Sequence, residues 1–278
     1  MRFKDLAIIA FVVFSIKLQG HGTTNIESMA MRIYEAHLNK RPLPILSVMN
    51  PALTEISAYR VQKSYVKLRL LDEQIMGFKA GLTNVNIQKQ LKINNPVSGV
   101  LFGSGNRKTE TSIKLDLDEK LMLEVEIGFI IGEQINKPIS QIEILKKRIK
   151  AVVPAIEITN LTFEKTSEMK GVDVIANNVS AYGCIIGRHR SHIEYDLKKI
   201  LFFLWKEEEL VSQGSGSDVL GDPWEAALWL VNNTVNQGWT LEPGHVLLTG
   251  SMGNILPARP GKYVADFVKL GCISFVVD

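Results

Sequence analysis

Leu121-Met-Leu-Glu-Val-Glu-Ile-Gly-Phe-Ile-Ile131 is the stretch on which the reading of this chain turns. Successive side chains of a β-strand point to opposite faces. One face is then Leu121, Leu123, Val125, Ile127, Phe129 and Ile131, apolar without a break. The other is Met122, Glu124, Glu126, Gly128 and Ile130. An ordinary solvated face would be polar along its length, whereas this one sets two carboxylates side by side between apolar neighbours. Like charges at that spacing repel, and a nearby cation is one way to stabilise them. A third carboxylate, Glu157, stands alone in the apolar run Val152-Val-Pro-Ala-Ile-Glu-Ile158. Three carboxylates without a suitable histidine favour a hard divalent ion, Mg2+ or Mn2+, over zinc. Taken alone, Glu-x-Glu is also what a solvated edge strand shows.

Outward from that strand, short apolar runs separated by Gly, Pro and Asn dominate. They are Gly99–Phe102, Val152–Thr159, Tyr182–Ile186, Ile200–Trp205, His245–Thr249 and Cys272–Val277. Together with residues 121–131 they predict a β-rich body. One helix is expected within it, Pro223–Asn232, with Asp222 as N-cap and Pro223 at the first helical position. Before Leu71 the pattern is helical instead. Ile26, Met29, Ala30, Ile33 and Ala36 recur at helical steps, and so do Ile56, Tyr59, Val61, Tyr65, Leu68 and Leu71. Thr54 is a candidate start for the second helix. The expected class is α+β. Gln213–Asp218 reads as a flexible loop. Cys184 and Cys272 read as buried thiols, with a bridge between them open if the protein is exported.

Composition narrows the class of protein. With 46% hydrophobic and 22% charged residues, the chain of 278 has too much apolar content for disorder. A formal charge of +3 gives no reason to expect a nucleic-acid partner. Two cysteines exclude a disulfide scaffold and a cysteine-built zinc site. At the start, Arg2 and Lys4 precede the uncharged run Leu6–Ile16. A membrane span needs about 20 apolar residues, so no stable span is expected. The pattern suits a secretory signal peptide over residues 1–22, although Asp5 and an indistinct cleavage site fit it poorly. Export, periplasmic or secreted, is the expected location. A cytoplasmic protein with an apolar first element is the alternative.

Lys79 is the next candidate, in Gly77-Phe-Lys-Ala-Gly-Leu-Thr83. A lysine between apolar residues and close-packing glycines suggests an ammonium held near backbone and ligand. There it offers a compact charge to carboxylates and developing enolates. A snorkelling surface lysine would read the same way. Gly244-His-Val-Leu-Leu-Thr-Gly-Ser251 is a strand ending in a small-residue turn, which can bring Thr249 or Ser251 to a ligand. Asp116 and Asp118 read as a solvated turn, His189 and His192 as a basic surface loop, and Glu207–Glu209 as an exposed charge run. No phosphate-cradling glycine loop or nucleophile elbow is present in the sequence.

Eight segments then carry a resemblance by their order. They are Phe78–Thr83, Glu124–Phe129, Ala155–Ile158, Ala176–Ser180, Leu220–Pro223, Trp229–Asn232, Leu248–Ser251 and Pro257–Gly261. The series resembles the 2-keto-4-pentenoate hydratase/2-oxohepta-3-ene-1,7-dioate hydratase group of the fumarylacetoacetate hydrolase superfamily, which also contains the 4-oxalocrotonate decarboxylases. It covers residues 25–278. The resemblance implies a mixed β-sandwich roll as the catalytic domain, residues 72–278, behind a helical N-terminal region, residues 23–71. It implies Glu124, Glu126 and Glu157 as ligands of Mg2+ or Mn2+, and Lys79 and Ser180 as catalytic. Leu82, Asn177 and Thr249, with Lys79 and Ser180, would lie against the substrate. That substrate would be a small 2-oxo acid or its 2-hydroxydienoate tautomer, and the protein a homo-oligomer. Hydration is the first expectation for the reaction and decarboxylation the second, because both use the same electron sink.

Four departures from the family pattern stand out. Val97, in Asn95-Pro-Val-Ser-Gly99, occupies the place of an acidic residue, and Asn177 that of an aspartate. His245 also replaces an aspartate, and Leu121-Met-Leu123 lacks the usual Pro-Arg. Loss of an acid near Lys79 removes a candidate proton donor, a role that contributes about 10²–10⁴-fold to rate. Two rivals follow: hydrolysis of an acylpyruvate, for which no Glu-His pair is visible, and a non-catalytic exported protein that binds oxo acids.

Overall fold

In the computed structural model, which describes residues 25–116, 118–188 and 195–278, three helices precede the first strand. They are α1 (Asn25–Leu38), α2 (Leu46–Met49) and α3 (Glu55–Arg69). Thr54 caps α3 by accepting a hydrogen bond from Ser57 N, and Lys67 and Arg69 complement the dipole at its far end. Met29, Ala30 and Ile33 of α1 and Ala58, Val61 and Val66 of α3 enter one hydrophobic core with the strands. The segment read as a signal peptide and His189 and His192 lie outside the described residues.

The strands follow as β1 (Ile75–Gly81), β2 (Val97–Phe102), β3 (Asn106–Lys108), β4 (Thr111–Ile113), β5 (Leu121–Ile131), β6 (Ile149–Asn160) and β7 (Ala181–Ile186). After them come β8 (Leu201–Lys206), β9 (Glu209–Ser215), β10 (Val246–Leu248), β11 (Met252–Pro257), β12 (Gly261–Phe267) and β13 (Gly271–Val277). One mixed sheet runs β2-β1-β10-β5-β6-β7-β3, with β11 also paired to β5; the other runs β4-β13-β12-β8-β9. β2 and β7, far apart in the first sheet's order, touch each other, so that sheet curls into a half-barrel. The fold is a mixed α+β roll with N-terminal helices.

The alternation read in residues 121–131 sorts the two faces of this sheet. Leu121, Leu123, Val125, Ile127, Phe129 and Ile131 all enter the main core. On the concave side, Ile130 packs with Leu101, Ala151, Val153, Ala155, Cys184, Val246 and Leu248 in a second, smaller core. Small side chains there leave room inside the curl. The long helix Pro223–Asn236 closes the main core; Asp222 caps it by accepting from Trp224 N at 2.9 Å, and Trp224 meets Phe129 edge-on at 4.7 Å.

Several elements differ from the sequence expectation. Short helices at Val85–Gln90, Ile142–Arg148 and Gly171–Ala176 join the single helix expected in the body. β1, β3, β4, β9, β11 and β12 fall outside the apolar runs. In β12 the inward residues Tyr263, Ala265 and Phe267 alternate with Lys262, Val264 and Asp266, so no continuous apolar run marks it. Gln213–Asp218 is ordered rather than a flexible loop: Gln213–Ser215 pairs with β8, and Asp218 Oδ2 accepts from Ser215 N at 2.9 Å. Gly216 is needed there, because a Cβ would lie 1.9 Å from the Leu197 carbonyl oxygen. Cys184 is buried, but Cys272 is exposed on the outer face of β13 opposite Asp266, and no disulfide joins them. No helix among the described residues is long and apolar enough to cross a membrane.

Candidate metal centre

Antiparallel register places Glu124 of β5 directly opposite Glu157 of β6, and Glu126 opposite Ala155. Opposed residues share a face of the sheet, so all three carboxylates stand on the concave side. One oxygen from each lies within 4.8 Å of the others. Glu126 and Glu157 are fully buried, while Glu124 is half-buried and marks the open side. Thr159 Oγ1 donates to Glu124 Oε1 at 3.1 Å.

A break in the neighbouring edge lies beside them. β10 pairs with β5 over Gly128–Ile130 and β11 over Met122–Val125, leaving Thr249–Ser251 to span the gap. In that gap Gly250 N donates to Glu126 Oε2 at 2.8 Å, and Thr249 Oγ1 donates to the Ile127 carbonyl at 3.1 Å. Gly250 has φ +114°, and a Cβ would stand 2.7 Å from Thr83 Cγ2, so this approach requires glycine.

Lys79 reaches the cluster from β1, on the same face as its partners Gly99 and Leu248. Its Nζ lies 2.6 Å from Glu157 Oε1 and donates to the Val179 carbonyl at 3.1 Å. Burial works against its charge, but Glu157 and Glu124 outweigh that and raise its pKa. Burial pushes Glu126 well above the usual carboxylate range, helped by Glu157 and Glu124. Glu157 is pushed up to about 7 by burial, with Lys79 opposing the rise. No N–H or hydroxyl donor reaches Glu126 Oε1 or Glu157 Oε2, and in the metal-free protein only a proton shared between the two carboxyls pairs them. Orphaned buried acceptors are costly. A hard divalent ion would satisfy both, and an all-oxygen donor set suits one.

The third wall is the turn between the helix Gly171–Ala176 and β7. Asn178, Val179 and Ser180 have φ of 55°, 53° and 55°. The left-handed region costs roughly 1–2 kcal/mol per non-glycine residue, and a β-branched residue there is a genuine outlier. Asn178 anchors the turn: its Oδ1 accepts from Val100 N at 2.7 Å and its Nδ2 donates to the Val100 carbonyl at 2.8 Å. Asn177 Nδ2 donates to the carbonyls of Pro44 and Asp173. Asn177 Oδ1 and Ser180 Oγ are buried without a partner. Both residues line a cavity of about 480 Å³, whose wall also includes His37, Arg69, Tyr182 and Cys184. Lys79 and the three glutamates do not themselves line this cavity; it meets the site at Cys184, the cross-strand neighbour of Glu157. Burial, with Arg69 adding, pushes His37 down to about 4, so it stands neutral there.

Residues 80–277 match the family model described as fumarylacetoacetate (FAA) hydrolase C-terminal. The chain belongs to the fumarylacetoacetate hydrolase family. It is 29% identical over 237 residues to the 2-keto-4-pentenoate hydratase of Paraburkholderia xenovorans, covering 84% of this chain and 88% of that one. It is 27% identical to the 2-oxo-hept-4-ene-1,7-dioate hydratase of Escherichia coli, covering 88% and 95% of the two chains. Among solved structures it is similar to the 4-oxalocrotonate decarboxylase of Pseudomonas putida G7 in complex with magnesium and adipate. That match has a TM-score of 0.85 at 24% identity and covers 93% of this chain and 99% of the other, which is a likeness of fold.

In this fumarylacetoacetate hydrolase family member, Lys79, Glu124, Glu126 and Glu157 converge, and Asn177 and Ser180 lie on the adjoining turn. Thr249 precedes Gly250, whose N–H reaches the cluster, while its own hydroxyl is turned to the Ile127 carbonyl. Leu82 follows β1 with a φ of 53°, packs against the main core that includes Val97 and Val179, and its carbonyl accepts from Gln88 Nε2 at 2.7 Å. Val97 is buried opposite Gly81, two residues along β2 from Gly99, the partner of Lys79, and Val97 Cγ2 and Lys79 Cε lie 3.6 Å and 3.9 Å from the place a Gly81 Cβ would take. Asn178, Gly250 and the Val179 carbonyl were not singled out by the residue types. Asn178 and Gly250 lay inside quoted segments, but a main-chain carbonyl carries no sequence signal.

Proposed function

We propose that this protein is a divalent-metal-dependent hydratase that adds water to a small 2-hydroxydienoate or its 2-oxo-enoate tautomer, the 2-keto-4-pentenoate hydratase type of reaction. The observation that carries the reading is the convergence of Glu124, Glu126 and Glu157, one oxygen from each within 4.8 Å of the others, with Lys79 Nζ 2.6 Å from Glu157. Hydratase relatives aligned over most of the chain support it. The three glutamates would hold Mg2+ or Mn2+, which when bound supplies a Lewis acid for the oxygens of a 2-oxo acid.

The chain's own residues do the rest. Lys79, pinned between Glu157 and the Val179 carbonyl, presents a fixed positive charge where negative charge develops on the substrate. Burial of Glu126 and Glu157 keeps water from their side, which strengthens every charge interaction there. Half-buried Glu124 leaves the opposite side open to a ligand. Ser180 Oγ, with no protein partner, is free to donate a hydrogen bond to a bound acid. In the net reaction the enol oxygen gives up its proton as C5 gains one, leaving a 2-oxo-3-enoate, and water then adds across C3=C4 with its hydroxyl at C4 and its hydrogen at C3.

A second reading is favoured by one observation. Val97, apolar and buried beside the Lys79 stem, offers no acid on that side. Decarboxylation of a 2-oxo acid uses the same charge stabilisation without needing water to add. The discriminating experiment supplies Mn2+ with 2-hydroxypenta-2,4-dienoate, and in parallel with 4-oxalocrotonate, following dienol absorbance and released CO2. Absorbance loss on the first acid supports hydration. CO2 from the second without loss of the first supports decarboxylation. Metal-dependent binding of oxalate with neither reaction would leave a non-catalytic oxo-acid-binding protein. Export and self-association into a homo-oligomer belong to the same proposal, and N-terminal sequencing and sedimentation test them.

A further inference from the structure

We infer that Asn178 is a positioning residue that acts on Lys79 through the Val179 carbonyl. The inference rests on the reading above of Lys79 as the charge that faces substrate.

An ammonium on a four-carbon stem has three donors and many rotamers. One acceptor, Glu157 Oε1 at 2.6 Å, fixes its distance from the carboxylates but not its direction. The Val179 carbonyl at 3.1 Å supplies the second constraint. That acceptor belongs to the main chain, so its aim depends on the backbone angles of the turn and not on the side chain at 179. Those angles are left-handed at three consecutive non-glycine residues. Such a conformation persists only where its surroundings over-determine it.

Asn178 is the part that does so. β2 is the last strand of its sheet, and its outward main-chain groups at Val100 have no strand to pair with. The Asn178 amide substitutes for one, accepting from Val100 N at 2.7 Å and donating to Val100 O at 2.8 Å. The side chain is buried. Two glycines clear the approach: a Cβ on Gly99 would sit 2.7 Å from the Asn178 carbonyl oxygen, and one on Gly81 2.4 Å from Val179 Cγ1. Gln62 of α3 ties the same two segments together, donating from Nε2 to the carbonyls of Ser98 and Ile175, each at 2.9 Å. Without the Asn178 bridge the turn relaxes and the carbonyl leaves Lys79.

The test uses Asn178→Ala, Asn178→Asp, Asn178→Gly and Gly99→Ala in the full chain, with urea unfolding measured beside each. Aspartate keeps the bond from Val100 N and loses the one to Val100 O. Glycine removes the backbone cost and both bonds, separating strain from bridging. Gly99→Ala pushes the turn off while leaving Asn178 intact, and it serves if Asn178→Ala does not fold. The first readout is the Lys79 15Nζ ammonium resonance of metal-free, 15N-lysine-labelled protein, which burial and hydrogen bonding protect from exchange. It should shift or broaden in Asn178→Gly and Gly99→Ala. The second is turnover of 2-hydroxypenta-2,4-dienoate with Mn2+. There kcat should fall about tenfold or more, with KM and Mn2+ affinity held within about twofold and Asn178→Asp intermediate. An unchanged Lys79 resonance in Asn178→Gly, or wild-type kcat in that variant, overturns the inference. A shifted resonance in a protein that turns over no dienoate retains the positioning role and overturns the function reading instead.

Discussion

Lys79 Nζ and Glu157 Oε1 lie 2.6 Å apart, and both side chains are sealed from solvent. Taking two charges out of water is expensive, and removing one partner of such a pair strands the other. Here burial and the neighbouring carboxylates keep a proton on Glu126, and that proton is what a second cation would displace. The pair is therefore a holding arrangement for the metal-free protein, in which a second cation has a place beside the first.

Lys79→Met should lower the stability of metal-free protein by about 3 kcal/mol, the scale expected when one member of a buried pair is removed. Saturating Mn2+ should restore part of that loss, because it neutralises the same carboxylates. Urea unfolding with and without Mn2+ measures both, and turnover should be lost in either case.

Glu126→Gln keeps an oxygen for Gly250 N and so should fold, yet it removes the charge that holds the ion. Mn2+ affinity should drop by about a hundredfold or more, beyond what loss of a supporting hydrogen bond costs. Titration calorimetry gives the value; wild-type affinity in this variant would refute the metal assignment.

Burial pushes Glu157 up to about 7 in the folded metal-free protein, from an ordinary value of 4.5. A carboxyl whose folded pKa is raised binds more protons folded than unfolded, so its contribution to stability declines as pH climbs between those two values. Metal-free protein should lose stability relative to Glu157→Gln from about pH 4.5 to 7. Mn2+ needs the carboxylate deprotonated, so its affinity should weaken below about pH 7. Thermal melts across that range, with and without Mn2+, read both trends.

Gly250→Ala places a Cβ 2.7 Å from Thr83 Cγ2 at a φ of +114°. The strand gap must open, drawing the N–H away from Glu126 Oε2. The strain should cost about 1–3 kcal/mol, and Mn2+ affinity should fall while the other two ligands are untouched. A crystal structure of the variant with calorimetry would show whether the two effects coincide.

Val97→Asp introduces an acid beside the Lys79 stem. If the missing proton donor limits hydration, the rate of dienol loss should rise by about tenfold, at the low end of general-acid effects, and stability should fall because a carboxyl is buried. Steady-state kinetics beside urea unfolding decide it. An unchanged rate in a folded variant would locate the proton's source elsewhere.

Much of the architecture was legible because local rules govern it. Alternation in residues 121–131 sorts every side chain of β5 between core and concave face, since the period of a strand is set by its backbone. Thr54 and Asp222 cap their helices for an equally local reason, the unpaired N–H groups of a first turn. Where glycines or charged residues interrupt the apolar run, as in β1 and β12, the same rule gave no signal. The order of Gln213–Asp218 was not legible because its glycines answer to groups outside the segment, Gly216 to the Leu197 carbonyl and Gly214 to Phe202 and Gly253 N.

That Glu124 and Glu126 share a face follows from their two-residue spacing and needs no tertiary structure. That Glu157 stands opposite Glu124 is a matter of strand register, and Lys79 reaches them only because β10 inserts between β1 and β5. The aim of the Val179 carbonyl was decided later still, by Asn178 gripping an edge strand. Side-chain identity travels with the sequence. The direction of a main-chain carbonyl depends on backbone angles that distant partners impose, so it exists only once the sheet has closed.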